Sequence, residues 1–156
     1  MNEMSMKTKV AFACYLALLL MMALPALSFL TASEPRSYHL QAMGVRWEDV
    51  PSGVQFMFLS ALRGVGSFLL VTVLSVGVIL FIPFRRGERW ARWATPVLCI
   101  AGVSPLVAGV FSVAANTGAS TPRLRVVIVL LLAVLGLFLS GDVGKPKRSV
   151  SEAAEG

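Results

Sequence analysis

Few side chains in this sequence are equipped for chemistry. The single histidine, His39, follows Tyr38 and precedes Glu48 and Asp49. An imidazole titrates near neutral pH, so beside a carboxylate it can relay protons. One histidine with irregularly spaced carboxylates fits no metal or triad pattern, and no second His or nearby Cys completes a zinc set. No metal is expected, and a solvated or interfacial imidazole is the plainer reading. Arg63 stands just before an uncharged run, Gly64–Ile82. An ionisable group at the edge of such a run is either a ligand group or a side chain that snorkels to the interface. The second reading is favoured, with Glu48, Asp49 or Glu34 as the expected partner. Cys14 and Cys99 form no Cys-x-x-Cys pair and read as packing thiols. Nucleotide-binding and nucleophile motifs (Gly-x-x-x-x-Gly-Lys-Ser/Thr, Gly-x-Ser-x-Gly, His-Glu-x-x-His) are absent. Catalytic residues and cofactors are therefore not assigned.

The elements that must position these groups follow from composition. Of 156 residues, 56% are hydrophobic and 14% charged, with a mean hydropathy of +0.77. A water-soluble domain of this size cannot hide so much apolar surface, so the class is an all-α membrane protein. A span needs about 20 mostly apolar residues. Four stretches supply them, at about residues 10–30, 56–84, 96–115 and 122–141. The uncharged apolar part of the last, Val126–Ser140, is only 15 residues long, so Arg123 and Arg125 are expected to snorkel outward or the bilayer to thin locally. Ser52 and Gln55 fit a capping box. Thr95-Pro96 and Thr121-Pro122 each set a hydroxyl before a proline at a helix start. Pro105 should kink the third span and free the carbonyl of Ala101. No internal repeat, heptad or low-complexity tract stands out.

Nine Lys and Arg residues flank one side of these spans: Lys7, Lys9, Arg85, Arg86, Arg89, Arg92, Lys145, Lys147 and Arg148. The other side has Arg36, Arg46, Arg123 and Arg125, with Arg63 near it. The positive-inside rule then gives a four-transmembrane-helix bundle with both termini cytoplasmic. Residues 1–9 form a cytoplasmic N-terminus, 10–141 the transmembrane domain and 142–156 a disordered cytoplasmic tail. The formal charge of +6 reads as topology and anionic-lipid contact, not as a nucleic-acid footprint. Lys7, Lys9, the first apolar run and Ala26-Leu27-Ser28 also fit a signal peptide cleaved after Ser28. The run is longer than the usual core of such peptides, which favours a retained helix.

Between the second and third spans, Arg85, Arg86, Arg89 and Arg92 alternate with Trp90 and Trp93. With Trp47 on the opposite side, these are interface anchors, Trp in the headgroup layer and Arg on phosphates. The outer loop, residues 31–55, should hold a short helix over Ser37–Met43 stopped at Gly44, then a turn at Glu48-Asp49-Val50-Pro51. On the second span Ser60, Arg63, Gly64, Ser67 and Ser75 fall within about 120° at 100° per residue. Small and hydroxyl-bearing residues permit close helix contact in lipid, so this arc is expected to face the bundle, as are Gly102, Ala108 and Gly109 of the third span.

The segments Tyr38-His39 through Trp47, Arg85-Arg86-Gly87-Glu88-Arg89-Trp90-Ala91 and Thr117-Gly118-Ala119-Ser120-Thr121-Pro122, with Arg63-Gly64, carry a resemblance. Over roughly residues 10–140 the chain resembles small uncharacterised bacterial membrane proteins, similar in general plan to DoxX-like four-helix proteins. The resemblance implies a bundle in the bacterial cytoplasmic membrane and brings no reaction or ligand. The paired cysteines of redox membrane enzymes are missing. The expected function is a structural or accessory component that packs with itself or a larger membrane partner. The alternative is a carrier of a small or lipid-like anionic molecule in an outer-leaflet pocket around Arg63, with His39, Glu48, Asp49 and Ser67 near it.

Overall fold

The computed structural model describes residues 6–140. The tail and the Lys145–Arg148 cluster lie outside them. The described residues are helical and contain no strand. The chain runs through α1 (Met6–Leu30), α2 (Ser37–Met43), a 3-10 turn at Trp47–Asp49, and α3 (Ser52–Ile79), which ends in a π-helical turn at Leu80–Phe84. It continues through α4 (Arg89–Thr117) and α5 (Arg123–Ser140). Four of these helices are long and apolar enough to cross a membrane by length and composition: α1, α3 with its π turn, α4 and α5.

Successive long helices run antiparallel around a ring. α1 packs on α3 and α5, and α4 closes the ring against the same two neighbours. Three of these seams are set by a glycine whose hydrogen faces the adjoining helix. A Cβ on Gly66 of α3 would lie 2.9 Å from Ala26 O and Leu30 N of α1. One on Gly102 of α4 would lie 2.5 Å from Thr72 Cγ2 of α3, and one on Gly136 of α5 would lie 2.6 Å from the Tyr15 ring of α1. Between lipid-solvated helices close packing is the main attraction, because the hydrophobic effect does not act between them.

The buried face of α3 runs Leu62, Gly66, Leu69, Val76 and Leu80, with Val73 half-buried between. Alternating steps of four and three residues give the 3.5-residue repeat of a left-handed bundle. Thr8, Ala11, Tyr15, Leu18 and Met22 of α1 repeat it, as do Val129, Ala133, Gly136 and Ser140 of α5. A heptad is thus present although none stands out in the sequence. Large apolar side chains also line the outward faces of these helices, so hydropathy alone does not mark the seam.

That same cause reverses the expectation for the arc on α3. Ser60, Arg63, Gly64, Ser67 and Ser75 are all exposed, on the side away from the bundle. Of the three residues singled out on α4, Gly102 is buried while Ala108 and Gly109 are exposed.

Several helix ends also differ from expectation. The N-cap of α3 is Pro51, without a side-chain cap, and its carbonyl accepts from Val54 N and Gln55 N at 2.9 and 3.0 Å. Gln55 does not close a capping box. Its Nε2 donates to Trp47 O and Val50 O, at 2.8 and 2.9 Å, which ties down the preceding 3-10 turn. α4 begins at Arg89, so Thr95 and Pro96 lie inside it. Thr95 Oγ1 donates to Ala91 O at 2.8 Å instead of capping, and Ala91 is fully buried, so packing holds this first stretch helical. Thr121 likewise gives no hydroxyl cap: Arg123 N bonds its carbonyl at 2.8 Å and α5 starts at Arg123. At Pro105 the freed carbonyl of Ala101 is taken by Ser104 Oγ at 3.1 Å. Pro83, which has no N–H to give, lies in the π turn. That turn sets Phe84 edge-on to Tyr15 at 5.8 Å between centroids, where Tyr15 Oη also meets Ser140 Oγ at 3.3 Å.

Candidate functional site

Two places gather polar groups, one at each end of the bundle. At the end where α1 leaves the bundle, the segment between α1 and α3 folds back as a cap. α2 forms at Ser37–Met43 and stops at Gly44, whose φ of +67° provides the left-handed C-cap. Gln41 Oε1 accepts from Ser120 N at 3.1 Å, which joins α2 to the α4–α5 connection. Trp47 packs edge-on to Phe58 of α3 at 6.2 Å between centroids.

His39 sits within this cap among aromatic rings. Its centroid lies 4.0 Å from that of Tyr38, 5.4 Å from Phe58 and 6.5 Å from Phe29. Nδ1 is buried without a hydrogen-bond partner. Burial, with the nearby Arg36 charge adding to it, lowers the imidazole pKa below its ordinary value. Burial likewise raises Tyr38, against the smaller opposing effect of Arg36 and Arg125. The less favoured alternative, a proton-handling cluster, does not assemble, because the downstream acids are engaged or exposed elsewhere. Asp49 is bound to Arg46 through Nε at 3.0 Å and Nη2 at 3.2 Å, and Glu48 is exposed. The i,i+3 spacing favours a local pair over a long-range one. His39 is half-buried, packed against aromatic rings and not coupled to a carboxylate.

Arg63 is exposed on α3, and its Nη2 donates to the carbonyl of Ala32 at 3.2 Å. This replaces the expected pairing with Glu48, Asp49 or Glu34. Ala32, two residues beyond the end of α1, offers its carbonyl to Arg63, and no carboxylate pairs with it. Ser67 is one turn further along, its Oγ donating back to Arg63 O at 3.0 Å. The partner of Arg63 is therefore a backbone carbonyl and not the carboxylate expected from the sequence.

Beside Ala32 lies an open cleft of about 400 Å³, lined by Ser28, Phe29, Thr31, Ala32, Ser33, Glu34, Arg36 and Ser37. Arg36 is fixed at its edge: Nη2 donates to Ser28 Oγ, and the guanidinium carbon lies 5.9 Å above the Phe29 ring. Arg36 entered the sequence argument only as a topology charge. The signal that could have found it is the run Ser33-Glu34-Pro35-Arg36-Ser37, which sets opposite charges two residues apart between hydroxyls.

At the other end, residues 85–88 make the short turn between α3 and α4, with Gly87 at φ +77°. Arg85, Arg86, Arg89, Trp90 and Trp93 are exposed there, and Trp90 Nε1 donates to Glu88 Oε2. Arg92 is half-buried, its Nε without a hydrogen-bond partner. Cys99 is buried and Cys14 half-buried, both as free thiols. Among the described residues no three His, Cys, Asp or Glu side chains gather in a metal-holding group.

Comparison of the chain with protein-family models, curated proteins and solved structures finds no match.

Proposed function

We propose that this chain is a non-catalytic, multi-pass membrane component that associates through the outward face of α3 with a second copy or a larger membrane protein. The observation that carries the reading is the exposure of Ser60, Arg63, Gly64, Ser67 and Ser75 on one side of that helix. Toward lipid, hydroxyl and guanidinium groups gain nothing. Against another helix, small residues allow close approach and hydroxyls bond across the contact. Exposed Ala101, Ser104, Ala108, Gly109 and Ser112 give α4 a surface of similar composition.

In this reading the membrane is the bacterial cytoplasmic membrane. The Arg85–Trp93 segment faces the cytoplasm with both termini, and Arg85, Arg86 and Arg89 rest on anionic headgroups. Reporter fusions at Gly87 test the orientation, and an exterior signal refutes it.

The association is tested by blue-native electrophoresis and crosslinking in native membranes, comparing wild type with Gly64→Leu and Ser67→Leu. Both positions are exposed, so the bundle itself should keep its helix content and melting behaviour. The expected result is a discrete oligomer or hetero-complex in wild type that shifts toward the free chain in both variants. A wild-type species that is monomeric and free of partners refutes the proposal.

A further inference from the structure

The cleft at the end of α1 has three features that together specify a ligand. It holds one cation and one anion that are not paired with each other: the ion pair among the described residues is Arg46–Asp49, and Glu34 makes no polar contact there. It is ringed by hydroxyls, of which Ser33 and Ser37 are also without partners among the described residues. Arg36 is held by Ser28 and Phe29 with most of its five N–H donors still free.

The surface beneath the cleft is apolar and turned outward. Leu20, Leu24 and Leu27 of α1 are 60%, 70% and 53% exposed. At 100° per residue they fall, with Thr31, within about 60° of one another. Thr31 N still donates to Leu27 O at 3.1 Å, so the helical path continues up to the cleft. The leucine track thus shares its face with Thr31, which lines the polar, doubly charged recess.

We propose that this cleft seats the headgroup of a glycerophospholipid in which a phosphodiester is joined to a primary ammonium, as in phosphatidylethanolamine, with an acyl chain along Leu20, Leu24 and Leu27. Arg36 meets the phosphate through charge-assisted N–H bonds. Glu34 accepts from the ammonium, and Ser33 and Ser37 complete its hydrogen bonds. A trimethylated ammonium has no N–H to give and needs an aromatic cage. The one aromatic ring in the lining, Phe29, lies under Arg36. An anionic glycerol headgroup leaves Glu34 unmatched. Arg63 is a positioning residue, fixing the Ala32 wall from α3 without touching the ligand. The ligand contacts lie on α1 and the α1–α2 connection, and Arg63 is the one residue shared with the outward face of α3; Glu34→Gln and Arg36→Gln leave that face intact, so the two proposals are tested separately.

The test is native mass spectrometry of the full chain released from mixed micelles. These contain equal amounts of dioleoyl phosphatidylethanolamine, phosphatidylcholine and phosphatidylglycerol. The expected result is one retained phosphatidylethanolamine, favoured roughly tenfold over phosphatidylcholine, the scale of one hydrogen bond to a charged group. Glu34→Gln should abolish that preference, and Arg36→Gln should lower retention of both zwitterionic lipids. Both side chains are exposed, and an unchanged melting curve confirms that each variant is folded. Equal retention of the three lipids, preferential retention of phosphatidylglycerol, or indifference to both substitutions overturns the proposal. Added glycerophosphoethanolamine separates lipid from free zwitterion: the headgroup alone should fail to displace the lipid at matched concentration. If it succeeds, the acyl contact with the leucine track is refuted.

Discussion

Substituting Gly66 by alanine adds one methyl group at the seam between α1 and α3. Its Cβ would lie 2.9 Å from Ala26 O and Leu30 N and 3.0 Å from Phe29 Cβ. Two of those atoms are helix backbone and cannot rotate aside. Restoring an ordinary 3.4 Å contact from 2.9 Å requires the helices to part by about 0.5 Å. A gap of that size forfeits about a quarter of the dispersion energy of the contacts it opens, and overpacking of this kind costs about 1–3 kcal/mol. Replacing a helical glycine by alanine returns at most about 1 kcal/mol. With that return subtracted, the net expectation for Gly66→Ala is a loss of about 0–2 kcal/mol. Gly77, on the same helix, has nothing within 4 Å of its Cβ position. Gly77→Ala should therefore be neutral or stabilising by up to about 1 kcal/mol. Backbone propensity is common to the two variants and cancels in their difference, leaving the seam alone. The assay is unfolding by sodium dodecyl sulfate in mixed micelles, followed by circular dichroism. If Gly66→Ala unfolds at the same detergent fraction as Gly77→Ala, or a higher one, helix contact at Gly66 does not hold α1 to α3.

The His39 ring couples the cap to pH. Its folded pKa lies below the ordinary 6.5, so above about 6.5 it is neutral in both states and the cap's contribution is complete. As pH falls from there toward the folded value, the unfolded chain binds the proton more tightly and stability is lost. Thermal melts across this window should show that loss in wild type and a flatter profile in His39→Phe; identical profiles refute the assignment. Tyr15→Phe removes the bond between Tyr15 Oη and Ser140 Oγ while keeping the ring against Phe84. Ser140 Oγ still donates to Leu137 O at 3.2 Å, so the expected loss is about 0.5–1.5 kcal/mol in the same detergent titration. A larger loss would mean that the hydroxyl does more than join α1 to α5. If α1 is a retained helix of the bundle, intact-mass measurement of the purified chain should include its residues. A mature N-terminus at Phe29 would remove Tyr15 and Ala26 from the core and contradict the ring of four.

The sequence by itself determined the number and identity of the long helices. Runs of about 20 apolar residues have no other stable use, because in hydrocarbon each backbone polar group must be satisfied within its own segment. Local signals were legible only in part: Gly44 ends α2 as read, while the capping box at Ser52 and Gln55 and the hydroxyl caps at Thr95 and Thr121 did not form. What depended on neighbours was not legible. In water, burial separates apolar from polar residues and leaves a readable period. Here both the core and the lipid-facing surface are apolar, so the period disappears. The small-polar arc of α3 then looks like an interior face when it lies outside. The seam glycines Gly66 and Gly136 are recognised only once the facing backbone and ring are in view. Side-chain partners across long separations were hidden for the same reason. Arg63 took the nearest open carbonyl, Asp49 took the arginine three residues away, and His39 was enclosed by rings from three elements. The cleft at Arg36 likewise exists only because the chain turns sharply after α1, which brings two charges and several hydroxyls around one space.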